Sequence, residues 1–131
     1  MKILVAEDDE VSRRLLIEYL TGREGEFQVL EAKDGDEAWD LLLANPDTAL
    51  GIFDALMPGA DGFDLLRRIR ENPSSAALPV ILCTSLNDRD SVKRALGLKV
   101  NQYLIKPFSR KAVHERIAKA LGKAFVETAR V

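Results

Sequence analysis

Apolar residues come along the chain in short unbroken runs, separated by stretches in which they recur every three or four positions. Ile3 to Ala6 is the first such run, and it predicts a strand buried on both faces. Val11, Leu15, Leu16, Tyr19 and Leu20 then fall at helical spacing, so a helix begins near Glu10 and ends before Gly22. Phe27 to Leu30 predicts a second strand. Lys33-Asp34-Gly35-Asp36 is a turn, with Asp36 placed to cap a second helix that carries Ala38, Leu41 and Leu42 and stops near Asn45-Pro46. Ala49 to Asp54 is a third strand, closed by Met57-Pro58-Gly59. Leu65, Leu66 and Ile69 mark a third helix, ended by Asn72-Pro73-Ser74-Ser75. Pro79 to Thr84 is a fourth strand. A fourth helix opens at Asp88 or Asp90, carries Val92, Ala95 and Leu96, and closes at Gly97. Gln102 to Ile105 is a fifth strand, broken by Lys106-Pro107. Ser109 caps a last helix bearing Val113, Ile117, Ala120 and Leu121. Five strand–helix units in series predict an α/β fold: one parallel sheet covered by five helices on both faces. Residues 1–122 form the domain, and 123–131 are a helix extension or a linker.

Size and composition narrow the picture. The chain has 131 residues, suited to one core, and 47% of them are hydrophobic. The formal net charge of −2 gives no electrostatic reason to expect nucleic acid as a partner. Cys83 is the one cysteine, so a disulfide framework is excluded and a reducing cytoplasm fits. No apolar run approaches the ~20 residues of a membrane span, and the opening run is too short for a signal-peptide core.

The chemistry is concentrated where strands end. The first strand runs into Glu7-Asp8, the third ends at Asp54, the fourth at Thr84 and the fifth at Lys106. In open parallel sheets, ligands sit beyond the carboxyl ends of the strands, at the point where strand order reverses. If the order is 2-1-3-4-5, strands 1, 3, 4 and 5 are contiguous at a spacing of ~4.8 Å, and the end groups of strands 1 and 3 converge. Clustered carboxylates repel one another. A hard divalent cation resolves that repulsion, and Mg2+ favours oxygen ligands. A carboxylate nucleophile can then form an aspartyl phosphate, with Lys106 as a point charge and Thr84 as a hydrogen-bond donor.

These residues together resemble the receiver domain of two-component response regulators, of the chemotaxis-regulator type. The motifs that carry the resemblance are Glu7-Asp8 after Ile3-Leu4-Val5-Ala6; Asp54 with Met57-Pro58-Gly59 and Gly62; Thr84-Ser85 after the fourth apolar run; and Tyr103-Leu104-Ile105-Lys106-Pro107-Phe108. Each is weak alone, but their order at successive strand ends is specific, and the match spans residues 1–121. The resemblance implies a flavodoxin-like doubly wound sheet of order 2-1-3-4-5. It implies that Asp54 is the phosphoacceptor for a phosphohistidine on a sensor histidine kinase or phosphotransfer protein. Asp8 would ligate Mg2+ directly, Glu7 through a water, and Leu56 through its backbone carbonyl. Lys106, joined to Pro107 by a cis bond, Thr84 and Ser85 would bind the phosphoryl group. Thr84 and Tyr103 would switch the face of the fourth helix, fifth strand and fifth helix for a downstream target or output domain. The resemblance makes the chain a switch, not a turnover enzyme. It would be a monomer or a phosphorylation-dependent dimer.

The sequence also departs from the family pattern. Receivers that lose their phosphoryl group quickly often carry a polar side chain two positions after the phosphoacceptor or two after the threonine. Here those positions are Leu56 and Leu86, which predicts a long-lived phosphorylated form. Gly51 within a buried strand has no functional account at this level. Three other readings compete. The chain can be a receiver module of a larger hybrid kinase or regulator. A phosphatase of haloacid dehalogenase type uses the same groups but needs an acid where Leu56 stands. A flavodoxin-like FMN module needs a phosphate loop where this chain has four acids.

Overall fold

The structure is a computed structural model that describes residues 1–21, 27–85 and 88–122. The expectations for Leu86 and for residues 123–131 fall outside these residues. Five strands and five helices alternate: β1 (Lys2–Ala6), α1 (Glu10–Thr21), β2 (Gln28–Ala32), α2 (Gly35–Ala44), β3 (Thr48–Asp54), α3 (Gly62–Glu71), β4 (Val80–Thr84), α4 (Arg89–Gly97), β5 (Gln102–Ile105) and α5 (Arg110–Leu121). The strands form one parallel sheet in the order β2-β1-β3-β4-β5. The doubly wound order expected from sequence is the one found.

Side chains alternate across the sheet, so each strand feeds two cores. Leu4, Ala6, Phe53, Val80 and Leu82 face α2, α3 and α4, and meet Leu42, Phe63, Leu66, Ile69 and Ala95. Ile3, Val5, Leu50, Ile52, Ile81 and Cys83 face α1 and α5, and meet Leu16, Leu20, Val113 and Ile117. Burial on both faces is why the central strands read as continuous apolar runs.

Three local expectations are corrected. β2 extends to Ala32 rather than stopping at Leu30, because its ladder with β1 pairs Val5 with Glu31 and Ala6 with Ala32. β2 is an edge strand, so a charged residue sits in it at no desolvation cost. The cap of α2 is Asp34, not Asp36. Asp34 has an extended backbone (φ −154°, ψ 174°), and its carboxylate accepts from the Glu37 amide at 2.8 Å. Asp36 lies within the first turn and pairs with Arg68 at 3.7 Å. Gly51 also gains a reason. A Cβ there would run into the ring of Phe53, two residues on along the same face, and both residues are buried. Asp88 and Ser109 cap α4 and α5 through the Ser91 and Ala112 amides.

The register sets the strand ends in a staircase. Ala6 lies opposite Phe53, Asp54 opposite Cys83, and Thr84 opposite Ile105. Glu7 and Asp54 therefore stand level, with Thr84 one step beyond Asp54 and Lys106 one step beyond Thr84. Backbone bonds continue the pattern past the strands. The Ala55 amide donates to Cys83 O at 3.0 Å and the Lys106 amide to Thr84 O at 2.8 Å.

Candidate functional site

At the head of the staircase, Glu7, Asp8 and Asp54 each present a carboxylate oxygen, and the three oxygens lie within 4.8 Å of one another. Glu7 is buried, Asp8 is exposed, and the Asp54 side chain is 11% exposed. The Lys106 ammonium lies against two of them, 2.6 Å from Glu7 Oε1 and 3.1 Å from Asp54 Oδ2. One lysine just past the end of β5 thus bridges the acid just past β1 and the acid that ends β3, across the intervening strand. The Lys106–Pro107 bond that follows is cis.

Burial first, then contact with Asp54, pushes the Glu7 carboxyl up to about 7, against the pull of Lys106. Burial works to lower the Lys106 pKa, but the Glu7 hydrogen bond and the Asp54 and Glu7 charges outweigh it, and the net direction is upward. A buried carboxylate beside a second carboxylate is costly to ionise with one ammonium for company. The donor set suits a further cation. All three ligands are carboxylate oxygens, and the exposed position of Asp8 leaves room for retained water, the pattern Mg2+ prefers.

The loop after Asp54 is fixed by backbone approach. The Leu56 amide donates to Asp54 Oδ1 at 3.3 Å, and the Leu56 side chain points away from the core, 50% exposed. The Gly62 amide donates to Ala55 O at 3.1 Å, and a Cβ on Gly62 would strike the Asp54 carbonyl. Only glycine lets α3 start this close to the strand end. Asp61 and Asp64 close a capping box at the same helix start. Thr84 is buried at 1% exposure, while Ser85 is exposed at the rim. Tyr103 is half-buried against the α3–α4 core, where burial and the Asp88 charge raise its phenol pKa. His114 lies elsewhere, with Nε2 2.7 Å from Tyr19 O. Cys83 is buried, and desolvation pushes its thiol up.

The fold therefore brings Glu7, Asp8, Asp54 and Lys106 into one contact group. It sets Leu56 beside Asp54 and Thr84 one register step beyond it, with Ser85 exposed and Tyr103 half-buried against the core. Arg13 was not anticipated from sequence, yet it touches the site: its Nη1 donates to Glu7 O at 2.9 Å. The one signal for it is position, one turn into the helix that follows the acids.

A doubly wound flavodoxin-like sheet with an acidic pocket at its strand ends defines the receiver class of signalling proteins, which are switches rather than turnover enzymes. The chain belongs to the response regulator receiver domain family, whose model matches residues 3–118. It is 38% identical over 122 residues to the chemotaxis protein CheY homolog of Campylobacter jejuni, covering 93% of each chain. It is equally similar to the chemotaxis protein CheY1 of Helicobacter pylori, 38% over 122 residues, covering 93% of this chain and 98% of that one. Among solved structures, it resembles the receiver domain of a signal transduction histidine kinase from Syntrophus aciditrophicus (30% identity, TM-score 0.81, covering 92% of this chain and 89% of that one). Receiver domains bind Mg2+ at an acidic pocket, and Glu7, Asp8 and Asp54 here make a group of carboxylates close enough together to hold a metal ion. Among the described residues, no helix is long and apolar enough to cross a membrane.

Proposed function

We propose that the protein accepts a phosphoryl group on Asp54 from a phosphohistidine of a sensor kinase or phosphotransfer protein, in a Mg2+-dependent reaction. The observation that carries this is the contact group itself: three carboxylates within 4.8 Å, one of them 3.1 Å from the Lys106 ammonium. An Asp54 carboxylate oxygen attacks phosphorus, the P–N bond breaks, and its electron pair returns to the imidazole. Glu7, Asp8, Asp54 and the Leu56 backbone carbonyl would hold the metal, Glu7 through a water. Bound Mg2+ supplies charge neutralisation for the carboxylates and the incoming phosphoryl oxygens. Lys106 neutralises a further phosphoryl oxygen, and Thr84 and Ser85 donate to the group once it is present.

The output is a change of surface. Thr84 moves toward the phosphoryl group, and Tyr103 turns inward behind it. The face of α4, β5 and α5 then presents Leu96 and Ile105, 64% and 37% exposed, differently to a protein target. That target is a separate downstream protein or an output domain of a larger protein, and the setting is cytoplasmic. The haloacid dehalogenase and FMN readings have no support from the family match.

Adding beryllofluoride with Mg2+, as a phosphoryl mimic, tests the proposal. Amide NMR shifts should change at Asp54, Thr84, Tyr103 and along α4, and should vanish in Asp54→Asn. Shifts confined to Glu7 and Asp8, or none, would contradict it.

A further inference from the structure

The peptide that joins Glu7 to Asp8 carries both acids that β1 delivers to the pocket. Its carbonyl is that of Glu7. β1 has ended at Ala6, so this carbonyl lies past the regular ladder, and a change in the Glu7 ψ angle, which moves the carbonyl, would swing Asp8 away from Glu7. Arg13 fixes it. The guanidinium donates from Nη1 to Glu7 O at 2.9 Å and from Nε to Glu31 Oε1 at 3.2 Å. The Arg13 side chain is 14% exposed, so this is a largely shielded, charge-assisted bond. The other end of the residue is held as well: the Glu7 amide donates to Ala32 O at 3.0 Å. Arg13 is in turn positioned by the start of α1, where its own amide bonds Asp9 O at 2.9 Å and the Ser12 amide bonds Asp9 Oδ2 at 2.8 Å. Glu31, its second partner, belongs to β2 and is paired across the sheet with Val5.

We infer that Arg13 is a positioning residue for the acidic pocket: by holding the Glu7 carbonyl it fixes the orientation of the Glu7–Asp8 peptide and so the spacing of two of the three cation ligands. This rests on the Mg2+ reading above. The bond to exposed Glu31 aims the guanidinium and adds little stability of its own. Arg14, the next residue, is a built-in control. It carries the same charge on the same helix but points to solvent, 75% exposed, and pairs only with Glu10 at 3.4 Å among the described contacts.

The test is calorimetric titration of Mg2+ into the folded protein, together with the initial rate of phosphorylation by a small-molecule phosphodonor. Arg13→Ala should weaken Mg2+ binding about tenfold, the scale of an outer-shell ligand support, while Arg14→Ala binds like the parent. The Arg13→Ala rate should fall at limiting Mg2+ and recover at saturating Mg2+, a split that a loss of folded protein does not produce. Arg13→Lys, which keeps one donor within reach of the carbonyl, should fall between, and it carries the test if Arg13→Ala does not fold. Unchanged Mg2+ affinity in Arg13→Ala (or in Arg13→Lys, where Arg13→Ala does not fold), with a parent that binds, overturns the role of Arg13 alone, as does an equal loss in Arg14→Ala. A parent that binds no Mg2+ overturns the site reading, and the inference with it.

Discussion

Leu56 stands where a polar side chain would be able to aim a water at a phosphoryl group on Asp54. It cannot donate or accept, and it is half exposed beside the Asp54 carboxylate. Leu56→Asn should therefore shorten the lifetime of the phosphorylated form by about a hundredfold, the low end of what a positioned polar group contributes to proton transfer. The lifetime is measured by loss of label after removal of the phosphodonor. A parent half-life of seconds, or no acceleration in Leu56→Asn, would contradict the account. At this scale the sequence was informative about identity and silent about geometry. Asp54 and Lys106 were legible because each interrupts an apolar run. That Lys106 would bridge Glu7 and Asp54 was not, since the bond to Glu7 spans 99 positions. Nor was the role of Gly51, whose reason is a ring two residues along its own strand.

Elements are held at the site's far end as firmly as at the near end. Arg70, near the end of α3, donates to four carbonyl oxygens: Ala76 O at 3.1 Å, Leu78 O at 2.6 Å, Lys99 O at 2.9 Å, and Asn101 Oδ1 at 2.9 Å. Asn101 Oδ1 also takes the Val80 amide at 2.8 Å. One guanidinium thus ties the α3–β4 loop to the turn that leads from α4 into β5. α4 itself buries a single side chain, Ala95, with Arg94 laid over the Phe63 ring at 4.3 Å. An element so lightly packed moves readily about its anchored end. Arg70→Ala should cost about 2–3 kcal/mol, because it leaves several carbonyls without a charged donor, and urea unfolding checks this. A loss below about 0.5 kcal/mol, the level of an ordinary surface change, would mean the anchor is not made. Helices were legible from spacing and caps, but the choice between Asp34 and Asp36 at α2 was not. Both are aspartates in one turn, and only the extended backbone at Asp34 decides between them.

The whole molecule trades stability for a charged pocket, and that gives a pH dependence. Glu7 has its pKa raised in the fold, from 4.5 to about 7. A raised carboxyl favours the protonated fold, so its contribution is fully present below about 4.5 and is lost as pH rises through about 7. Asp9, Asp47 and Asp88 are lowered, so their contributions are lost only under strong acid and stay constant in this window. In chelator, the unfolding midpoint should fall between pH 5 and pH 8 (a range chosen to bracket about 7). Glu7→Gln should flatten the fall, and Mg2+ should reverse it, because the cation favours the ionised carboxylates. A midpoint that rises across the window in chelator would contradict this. The architecture was the most legible feature of all. Unbroken runs such as Ile3 to Ala6 and Val80 to Cys83 report burial on two faces, and alternation with helices leaves a parallel sheet as the simple solution. The site's existence followed from the strand ends, whereas its electrostatics required the fold.

The central claim is that the clustered carboxylates and Lys106 make Asp54 a phosphoryl acceptor. Intact-mass measurement after incubation with phosphoramidate and Mg2+, followed by borohydride reduction and peptide mapping, addresses it directly. The account predicts one phosphoryl group per chain, mapped to Asp54, absent in Asp54→Asn and absent in chelator. An adduct that survives Asp54→Asn or chelation, or no adduct in the parent, would contradict it.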